Sequence, residues 1–384
     1  MPVILGLETS CDETAASVVG DGLVVRSNVV STQHELHERY GGVVPEIASR
    51  AHLERLWPVV RAALDQAGIA LSDLDAIAVG NRPGLVGSLI VGASAAKTLA
   101  WSLNLPLIGI DHVQAHLYAA ALRESTVDSE PPTGDASTKS TAINHQSPII
   151  NPPSYPALGL VVSGGHTSLF NVASPTAMTC IGKTIDDAVG EAYDKAAVIL
   201  DAGYPGGPNL DRLAQQGDAT AAQTPKLPRP LLGPGSLDFS FSGLKTALLY
   251  ATRGTPTGRG KARAFPREVA DLSEAERANL AAAFQSAVVD TLMTKLKRAV
   301  RHMDQQGQRP GCIIVGGGVS ANSLLRTRVV ALGEKLGLAV FIPPMSLCVD
   351  NAAMIAGLAH AKLAAGQADD LSLPVIATTS VGLA

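Results

Sequence analysis

Two histidines spaced four residues apart offer the clearest chemistry in this sequence. His112 and His116 follow a predicted strand at 105–110, and the chain turns polar at Asp111. On a helix, side chains at this spacing have Cβ atoms about 5–6 Å apart, so two imidazole nitrogens can bind one ion and leave positions for a carboxylate and a ligand. The pair predicts half of a metal site; the alternative is a helix start with two partly exposed histidines.

A zinc peptidase is the obvious enzyme that uses this spacing. Its His-Glu-x-x-His motif places a glutamate directly after the first histidine, whereas Val113 occupies that position here. The general base of a metallopeptidase is therefore missing. A P-loop also fails at Gly182-Lys-Thr184, because Ala177 stands where that motif needs its first glycine.

Turns rich in glycine and hydroxyl residues are candidate phosphate-binding sites. The turn at 9–14 follows a predicted strand at 3–8 and contains Asp12 and Glu13. Such a turn can point backbone N–H groups at a phosphate, although an ordinary hairpin loop has the same composition. A strand that begins at Cys312 leads into three glycines and a predicted helix capped by Ser320, a helix start that suits a phosphate or an adenosine.

The elements that must position these residues follow from hydrophobic periodicity. Asp350 precedes an Ala-rich helix predicted at 352–365 and, taken alone, is expected to be its N-cap. The remaining main elements are strands at 15–19, 23–28 and 74–80, and helices at 45–66, 88–103, 185–200 and 278–303.

The plan of the chain starts again after residue 156. The segment 158–172 repeats the order of 5–18: an apolar strand, a turn of glycine or small hydroxyl residues, a threonine and a returning strand. Two copies of one hairpin predict two similar domains that face a cleft. Between them, 124–156 is dominated by Ser, Thr, Pro and Asn, and we expect a flexible connection.

Composition limits the class of protein. A chain of 384 residues with 46% hydrophobic and 17% charged residues fits a two-core α/β enzyme, and its net charge of −4 gives no overall attraction to nucleic acid. RNA contacts must then come from local basic groups, such as 253–267 or the end of the 278–303 helix. The absence of a leader, of paired cysteines and of an uninterrupted apolar stretch of about 18 residues predicts a soluble, cytoplasmic protein.

Seven motifs in this order resemble one family. They are 8–14 (ETSCDET), 40–46 (YGGVVPE), 112–116 (HVQAH), 161–167 (VVSGGHT), 201–208 (DAGYPGGP), 239–246 (FSFSGLKT) and 316–322 (GGGVSAN). They look like the TsaD family of tRNA N6-adenosine threonylcarbamoyltransferases, which includes the Kae and Qri proteins. The resemblance covers nearly the whole chain except 124–156 and the last dozen residues.

The resemblance implies an α/β fold of two duplicated actin-like ATPase (ASKHA, ribonuclease H-like) domains around a nucleotide cleft. The domains expected are 1–123, completed by the helix 352–365, and 157–350, with 124–156 as an insertion and 366–384 as a tail. The implied reaction transfers threonylcarbamoyl from threonylcarbamoyl-AMP to the exocyclic amine of the adenosine 3′ of the anticodon, in tRNAs reading codons that begin with adenine.

Site residues are carried over from the family position by position. The resemblance implies His112, His116 and Asp350 as ligands of one divalent ion, Fe(II) first and Zn(II) as the alternative. The adenylate would be held by Val161, Val162, Ser163, Gly164, Gly165, Asp194, Gly207, Asp211 and Asn322. Our mechanistic hypothesis is that Asp12 or Glu13 accepts the proton of the amine.

The resemblance also implies partners and leaves rivals to exclude. The expected partners are tRNA, a TsaB-like paralogue and a TsaE-like ATPase, with no membrane. The rivals are a metallopeptidase, a label historically attached to this family, a small-molecule kinase of the same fold, and an inactive partner subunit. The kinase would not need the two histidines, and the intact ligand set argues against the inactive subunit.

Overall fold

Two β-sheets organise the chain. The computed structural model describes residues 2–40, 42–124, 153–258, 264–379 and 381. The strands of the first sheet are β1 (Val3–Glu8), β2 (Glu13–Gly20), β3 (Val24–Thr32), β4 (Ala76–Arg82), β5 (Leu107–Asp111) and β6 (Arg123–Glu124). Those of the second are β7 (Ala157–Val162), β8 (Thr167–Ser174), β9 (Ala177–Lys183), β10 (Cys312–Gly316) and β11 (Ala339–Phe341).

The two sheets share one topology over five strands, and the first sheet adds β6 at its edge. Their strand orders are β5-β4-β1-β2-β3-β6 and β11-β10-β7-β8-β9. In each, the first strand pairs antiparallel with the second and parallel with a later strand, so β1 and β7 occupy corresponding central positions. The repeat predicted between 5–18 and 158–172 is thus a repeat of β1-β2 by β7-β8.

Helices cover both sheets. They are α1 (His34–His37), α2 (Pro45–Ala67), α3 (Val86–Leu103), α4 (His112–Tyr118), α5 (Val189–Ile199), α6 (Gly206–Ala214), α7 (Ser242–Arg253), α8 (Glu274–Gln305), α9 (Ser323–Leu336) and α10 (Ala352–Ala364). The helix predicted at 45–66 is confirmed as α2. It begins at Pro45, where the missing N–H costs nothing, and Gly68 ends it in the left-handed conformation at φ 66°.

Two helices lie between the sheets, and each packs on the sheet that the other one follows in the chain. α4 follows β5 of the first sheet but packs on β7 and β10 of the second, while α10 follows the second sheet and packs on β1 and β2. Glycines at the strand centres allow this approach: a Cβ added to Gly6 would lie 2.4 Å from the Ala352 carbonyl oxygen, and one at Gly159 would lie 2.6 Å from Leu117. The starts of α4 and α10 are therefore held near each other.

The hydrophobic core has corresponding layers on both sides of this helix pair. On the first sheet, the layer beneath α10 includes Ile4, Ile108 and Ile355, all fully buried. On the second sheet, Val113 and Leu117 of α4 pack with strand residues in a separate layer. Because α10 is buried along most of its length, its sequence is apolar on every face and lacks the stripe of a surface helix.

Two predictions about polar segments are wrong in part. The helix predicted at 185–200 begins only at Val189, because Asp186 turns away to accept hydrogen bonds from the start of α7, including the N–H of Phe241 at 2.7 Å. The basic end of α8 is only partly free for RNA, since Lys297 and Arg301 are exposed but Lys295 is not. Lys295 is fully buried, and it donates to the carbonyls of Leu231 and Ser236 at 2.9 and 2.7 Å.

One helix in the described part of the chain passes a simple test for a membrane span. α3 has 18 residues and a mean hydropathy of 1.3. It packs on β4 and α2, burying Leu89 and Ala96 completely, as an amphipathic helix on a sheet does. Its apolar composition is therefore accounted for in part by this packing.

Candidate metal centre and nucleotide cleft

The short helix α4 carries the two histidines on successive turns. β5 ends at Asp111, whose side chain caps α4 by accepting hydrogen bonds from the N–H groups of Val113 and Gln114 at 3.0 and 3.4 Å. This cap sets where the helix starts and thus where the rings point. The imidazole centroids of His112 and His116 lie 4.5 Å apart at an interplanar angle of 79°.

Asp350 reaches the histidines because a different residue caps α10. The carboxamide oxygen of Asn351 accepts from the N–H of Met354 at 3.0 Å, so the expectation that Asp350 is the N-cap is wrong. The freed carboxylate lies with Oδ1 3.4 Å from Nε2 of His112 and 3.2 Å from Nε2 of His116. One ligand atom from each of the three residues lies within 4.8 Å of the others, a spacing that could hold a metal ion.

Glu8 orients the first histidine from the opposite side. Its carboxylate is fully buried at the end of β1, with Oε2 3.0 Å from Nδ1 of His112 and Oε1 accepting from the N–H of Ser10 at 2.5 Å. A carboxylate that accepts from Nδ1 selects the tautomer with a free Nε2 lone pair, the usual arrangement behind a metal-bound histidine. Nothing in the sequence predicts this role for Glu8.

His116 has polar atoms that need a partner. The side chain is fully buried, yet neither ring nitrogen makes a well-aligned hydrogen bond to any described residue, although Nε2 lies 3.2 Å from Asp350. Buried polar atoms are rarely left unsatisfied, because each costs about 1–3 kcal/mol. A cation bound to Nε2 would satisfy that atom, so the residues present fit a metal ion.

Electrostatics at this centre favour a cation. Burial on its own lowers the pKa of His112, but the carboxylates of Asp350 and Glu8 raise it well above its usual value. Burial acts to raise the pKa of Asp350, but the histidines hold it well below its usual range. The pKa of His116 is lowered by burial and by His112. An ionised carboxylate thus lies beside two nitrogens, the donor set of a divalent metal.

A second group of polar residues lies on the turn after β1. Nε2 of His34 is 3.5 Å from Oε1 of Glu13 and 3.9 Å from Oδ2 of Asp12. The ring of His34 also meets the edge of Tyr204, with centroids 5.6 Å apart, so this contact joins the first half of the chain to the second. The pKa of Glu13 is raised to about 8, chiefly by burial, even though the hydrogen bond from His34 acts to lower it.

The turn after β7 can contact a ligand through its backbone peptide groups rather than through side chains. Val161 and Val162 are fully buried in the sheet, so only their peptide groups can reach a ligand. The following turn is closed by Ser163, whose N–H donates to the carbonyl of His166 at 2.8 Å and whose Oγ accepts from the His166 N–H at 3.1 Å. A Cβ added at Gly164 or Gly165 would meet open space, as expected where a ligand approaches the chain.

Asp211 belongs to a connected polar network at the start of α9. Its Oδ1 accepts from Gln285 at 2.9 Å, from Asn322 at 3.2 Å and from the hydroxyl of Ser323 at 2.8 Å. The oxygen of Asn322 also caps α9 by accepting from the N–H of Leu325 at 3.0 Å. The predicted cap, Ser320, lies instead in a short 3₁₀ helix before α9, so that prediction is wrong.

Asp194 faces the first half of the chain from α5. Burial raises its pKa, and backbone hydrogen bonds from Gly207 and Gly206 lower it. The charge of Asp12 also raises this pKa, which brings two of the predicted site residues into one electrostatic environment. Gly207 itself borders open space at the start of α6.

Comparison with known proteins identifies the family. The family model described as "tRNA N6-adenosine threonylcarbamoyltransferase", TsaD, matches residues 24–134 and 137–357. A protein of that name from Trichlorobacter lovleyi is 46% identical over 98% of this chain and 96% of its own length. This chain belongs to the TsaD family. Another TsaD protein, from Sorangium cellulosum, is 45% identical over 96% of this chain and 94% of its own length.

Solved structures agree with the predicted fold. Full-length HypF in a phosphate- and nucleotide-bound form is 13% identical and covers 94% of this chain and 46% of that one, with a TM-score of 0.52. Together with the two sheets of equal topology, this similarity confirms the prediction of a duplicated actin-like α/β fold.

Membership in the TsaD family establishes the activity. The chain is an acyltransferase that transfers a threonylcarbamoyl group to N6 of adenosine in tRNA, and the peptidase and kinase alternatives are not favoured. The structure also adds residues that the sequence did not reveal. Glu8 stands behind His112, Gln285 bonds Asp211, and His34 faces Glu13.

Proposed function

We propose that this TsaD-family chain uses threonylcarbamoyl-AMP as its donor and holds one divalent ion on His112, His116 and Asp350. The acceptor in this proposal is the exocyclic amine of the adenosine 3′ of the anticodon, in tRNAs reading codons that begin with adenine. The observation that carries the proposal is the approach of Asp350 Oδ1 to within 3.4 Å of both Nε2 atoms.

Two imidazoles and one carboxylate with open positions suit Fe(II), our first choice, or Zn(II). When bound, such an ion would supply Lewis-acid polarisation of the threonylcarbamoyl carbonyl and neutralise phosphate charge. The protein itself contributes the orientation of the ligands. Asp111 fixes the start of α4, Asn351 fixes the start of α10, and Glu8 keeps Nε2 of His112 free.

The adenylate part of the donor would lie along the second half of the chain. Open space at Gly164, Gly165 and Gly207 lets a ligand approach the chain here, so that peptide N–H groups of the 161–165 turn can reach phosphate oxygens. Asp211 and Asn322, held by their shared network, offer polar atoms suited to ribose hydroxyls. In this assignment Asp194 lies between Asp12 on one side and the two adenylate-binding groups on the other, namely the glycine turns and the pair of Asp211 and Asn322.

The transfer then follows from positioning. The adenosine amine attacks the carbamoyl carbon, a C–N bond forms, and the bond from that carbon to the phosphate oxygen breaks, so that AMP leaves with the electron pair. The amine must lose one proton, and Asp12 or Glu13 accepts it. A carboxylate whose pKa is raised by burial toward the operating pH is a suitable acceptor, and Glu13 has this property.

The paralogue partner has a candidate surface. The adjacent helices α2 and α3 each expose apolar side chains, with Leu53 at 69%, Trp57 at 50%, Ile90 at 48% and Trp101 at 72% exposed. Exposed apolar residues grouped in this way are typical of protein interfaces. We assign this face to a TsaB-like paralogue. Trp101→Glu should then weaken that complex without changing metal content.

Further parts of the proposal depend on the family alone. These are a TsaE-like ATPase as second partner, a cytoplasmic location, and a division into 1–123 with 352–365, 157–350, and a tail at 366–384. Most of the 124–156 insertion and part of the 253–267 basic segment lie outside the described residues. Within that segment, Arg267 donates to the carbonyl of Thr252 at 2.5 Å, so it supports α7 rather than a free RNA surface.

The test is direct. The purified chain, with its partners and Fe(II), is mixed with threonylcarbamoyl-AMP and unmodified tRNA, and the digested tRNA is analysed by mass spectrometry for threonylcarbamoyladenosine. We expect the modified nucleoside with the wild type and none with His116→Ala. Product formed at the wild-type rate by a metal-free His116→Ala variant would refute the ligand role.

A further inference from the structure

His34 is a titratable residue that the proposed mechanism leaves without a role. It opens α1, a four-residue helix after β3, and its side chain is 40% exposed. Its Nε2 is closer to Glu13, at 3.5 Å, than to Asp12, at 3.9 Å. Its ring is held on the other side by the edge of Tyr204, which belongs to the second half of the chain.

The charges around this residue are mainly negative. Glu13 is influenced by Asp12 and Asp350, and His34 by Glu13, Asp12 and Asp194. Tyr204 and Cys11 also face the cluster, and burial, followed by the charges of the acidic residues, raises the pKa of both. The hydrogen bond from His34 favours the ionised form of Glu13, whereas burial, Asp350 and Asp12 oppose it.

We propose that His34 is a positioning residue that orients Glu13 and favours its ionised form, so that Glu13 rather than Asp12 accepts the proton of the tRNA adenosine amine. This inference rests on the proposed function, in which one of these two carboxylates is the base. The distances support the choice, because the imidazole is nearer to Glu13 than to Asp12 while its ring contacts Tyr204.

The physical reason is the balance of burial against hydrogen bonding. With His34 in place the pKa of Glu13 is still raised to about 8, because burial raises it most and the charges of Asp350 and Asp12 act in the same direction. The hydrogen bond with His34 lowers this pKa, while Glu13 in turn raises the pKa of His34. Without His34, a smaller fraction of Glu13 would be ionised near neutral pH, and less of the enzyme would be ready to accept the proton.

The proton balance in the step is simple. The amine nitrogen forms its bond to the carbamoyl carbon and releases one proton to a Glu13 carboxylate oxygen. AMP leaves with the electron pair of the broken C–O bond. The protonated Glu13 returns its proton to water before the next turnover, and His34 keeps its hydrogen bond to the carboxylate throughout.

The experiment compares pH profiles. Rates of threonylcarbamoyl transfer to tRNA are measured from about pH 6 to about pH 9.5 for the wild type, His34→Ala, His34→Gln and Glu13→Gln. We expect His34→Ala to move the acidic limb up by about one pH unit, which lowers the rate at neutral pH about tenfold, with recovery at high pH. His34→Gln keeps an N–H donor, so the acidic limb of its pH profile should lie between those of the wild type and His34→Ala.

Controls separate this role from a structural one. His302→Ala changes a histidine at the far end of α8 that bonds only Gln306 among the described residues, and its profile should match the wild type. NMR titration of His34 gives a second readout: Glu13→Gln should lower the pKa of His34. Thermal unfolding of each variant identifies any that fail to fold. If His34→Ala fails to fold, the pKa of His34 measured by NMR in Glu13→Gln decides whether the two residues interact as proposed.

The outcomes are distinct. If the wild type forms no threonylcarbamoyladenosine, the proposed function fails. If the wild type is active but the acidic limb of folded His34→Ala does not move, or the His34 pKa is unchanged in Glu13→Gln, the inference about His34 is overturned while the proposed function stands. A uniform loss of rate at every pH would also overturn it, because a merely structural role predicts that result.

Discussion

Asp111 and Asn351 occupy corresponding positions, each capping one of the two helices between the sheets, and each is adjacent in sequence to a proposed metal ligand. Asp111 caps α4 directly before His112, and Asn351 caps α10 directly after Asp350. The duplicated fold brings these two helix starts together. The candidate metal centre thus lies where the two copies of one structural plan meet.

This relationship predicts that the Asn351 cap controls the position of Asp350. Asn351→Ala should lower the free energy of unfolding by about 1 kcal/mol through loss of the cap. It should also weaken metal binding, because the amide of Asn351 donates to the carbonyls of Leu347 and Val349 in the segment that leads to Asp350. Urea unfolding and metal titration measure the two effects. Unchanged metal affinity in a destabilised variant would contradict the role assigned to Asn351.

The contact between Glu8 and His112 predicts a tuning role without direct coordination. Glu8→Gln removes the charge that selects the Nδ1–H tautomer, so metal affinity should fall about 10–100-fold. Competition with a chelator of known affinity measures this change. Glu46→Gln, in the first turn of α2, is a matched control that should leave metal affinity unchanged. Equal affinities for wild type and Glu8→Gln would exclude the orienting role.

The close packing of α10 on β1 predicts a steric effect at Gly6. A Cβ at this position would lie 2.4 Å from the Ala352 carbonyl oxygen, so Gly6→Ala should destabilise the fold by about 1–3 kcal/mol and shift α10. Gly243→Ala, where the added Cβ meets open space within α7, is the control. Urea unfolding compares the two variants. A Gly6→Ala variant as stable as the control would show that the helix is not packed this tightly.

Buried Lys295 predicts a pH-dependent contribution to stability. Burial lowers its pKa from 10.5 to about 8, so the unfolded chain binds more protons than the folded one between these values. Folding therefore becomes more favourable as pH rises from about 8 to 10.5. Lys295→Met should lack this rise and lose the bonds to the 231–236 loop. Urea unfolding at several pH values across this range measures the free energy of unfolding of the wild type and of Lys295→Met. The same dependence on pH in both proteins would contradict the prediction.

Local signals predicted much of the fold. Strand β1 is as predicted at 3–8, α2 begins at Pro45 as predicted, and the histidine spacing placed both rings on one face of one helix. Each depends on periodicity or on Pro and Gly at an end, which short stretches of sequence contain.

The errors share a different cause. Choosing between Asp350 and Asn351 as cap requires the path of the chain around α10, and both residues are good caps in isolation. The buried state of Lys295 depends on a loop some 60 positions earlier that covers one side of α8. The partners of Glu8 and His34 are likewise made by tertiary packing, for which one sequence offers no local signal.

The most direct test of the account measures metal content and transfer activity together in Asp350→Ala. The purified wild type should bind one divalent ion per chain and form threonylcarbamoyladenosine in tRNA, while folded Asp350→Ala should lose both and Glu13→Gln should keep the ion but lose activity. An Asp350→Ala variant that retains the full complement of metal and the wild-type rate would contradict the proposed centre.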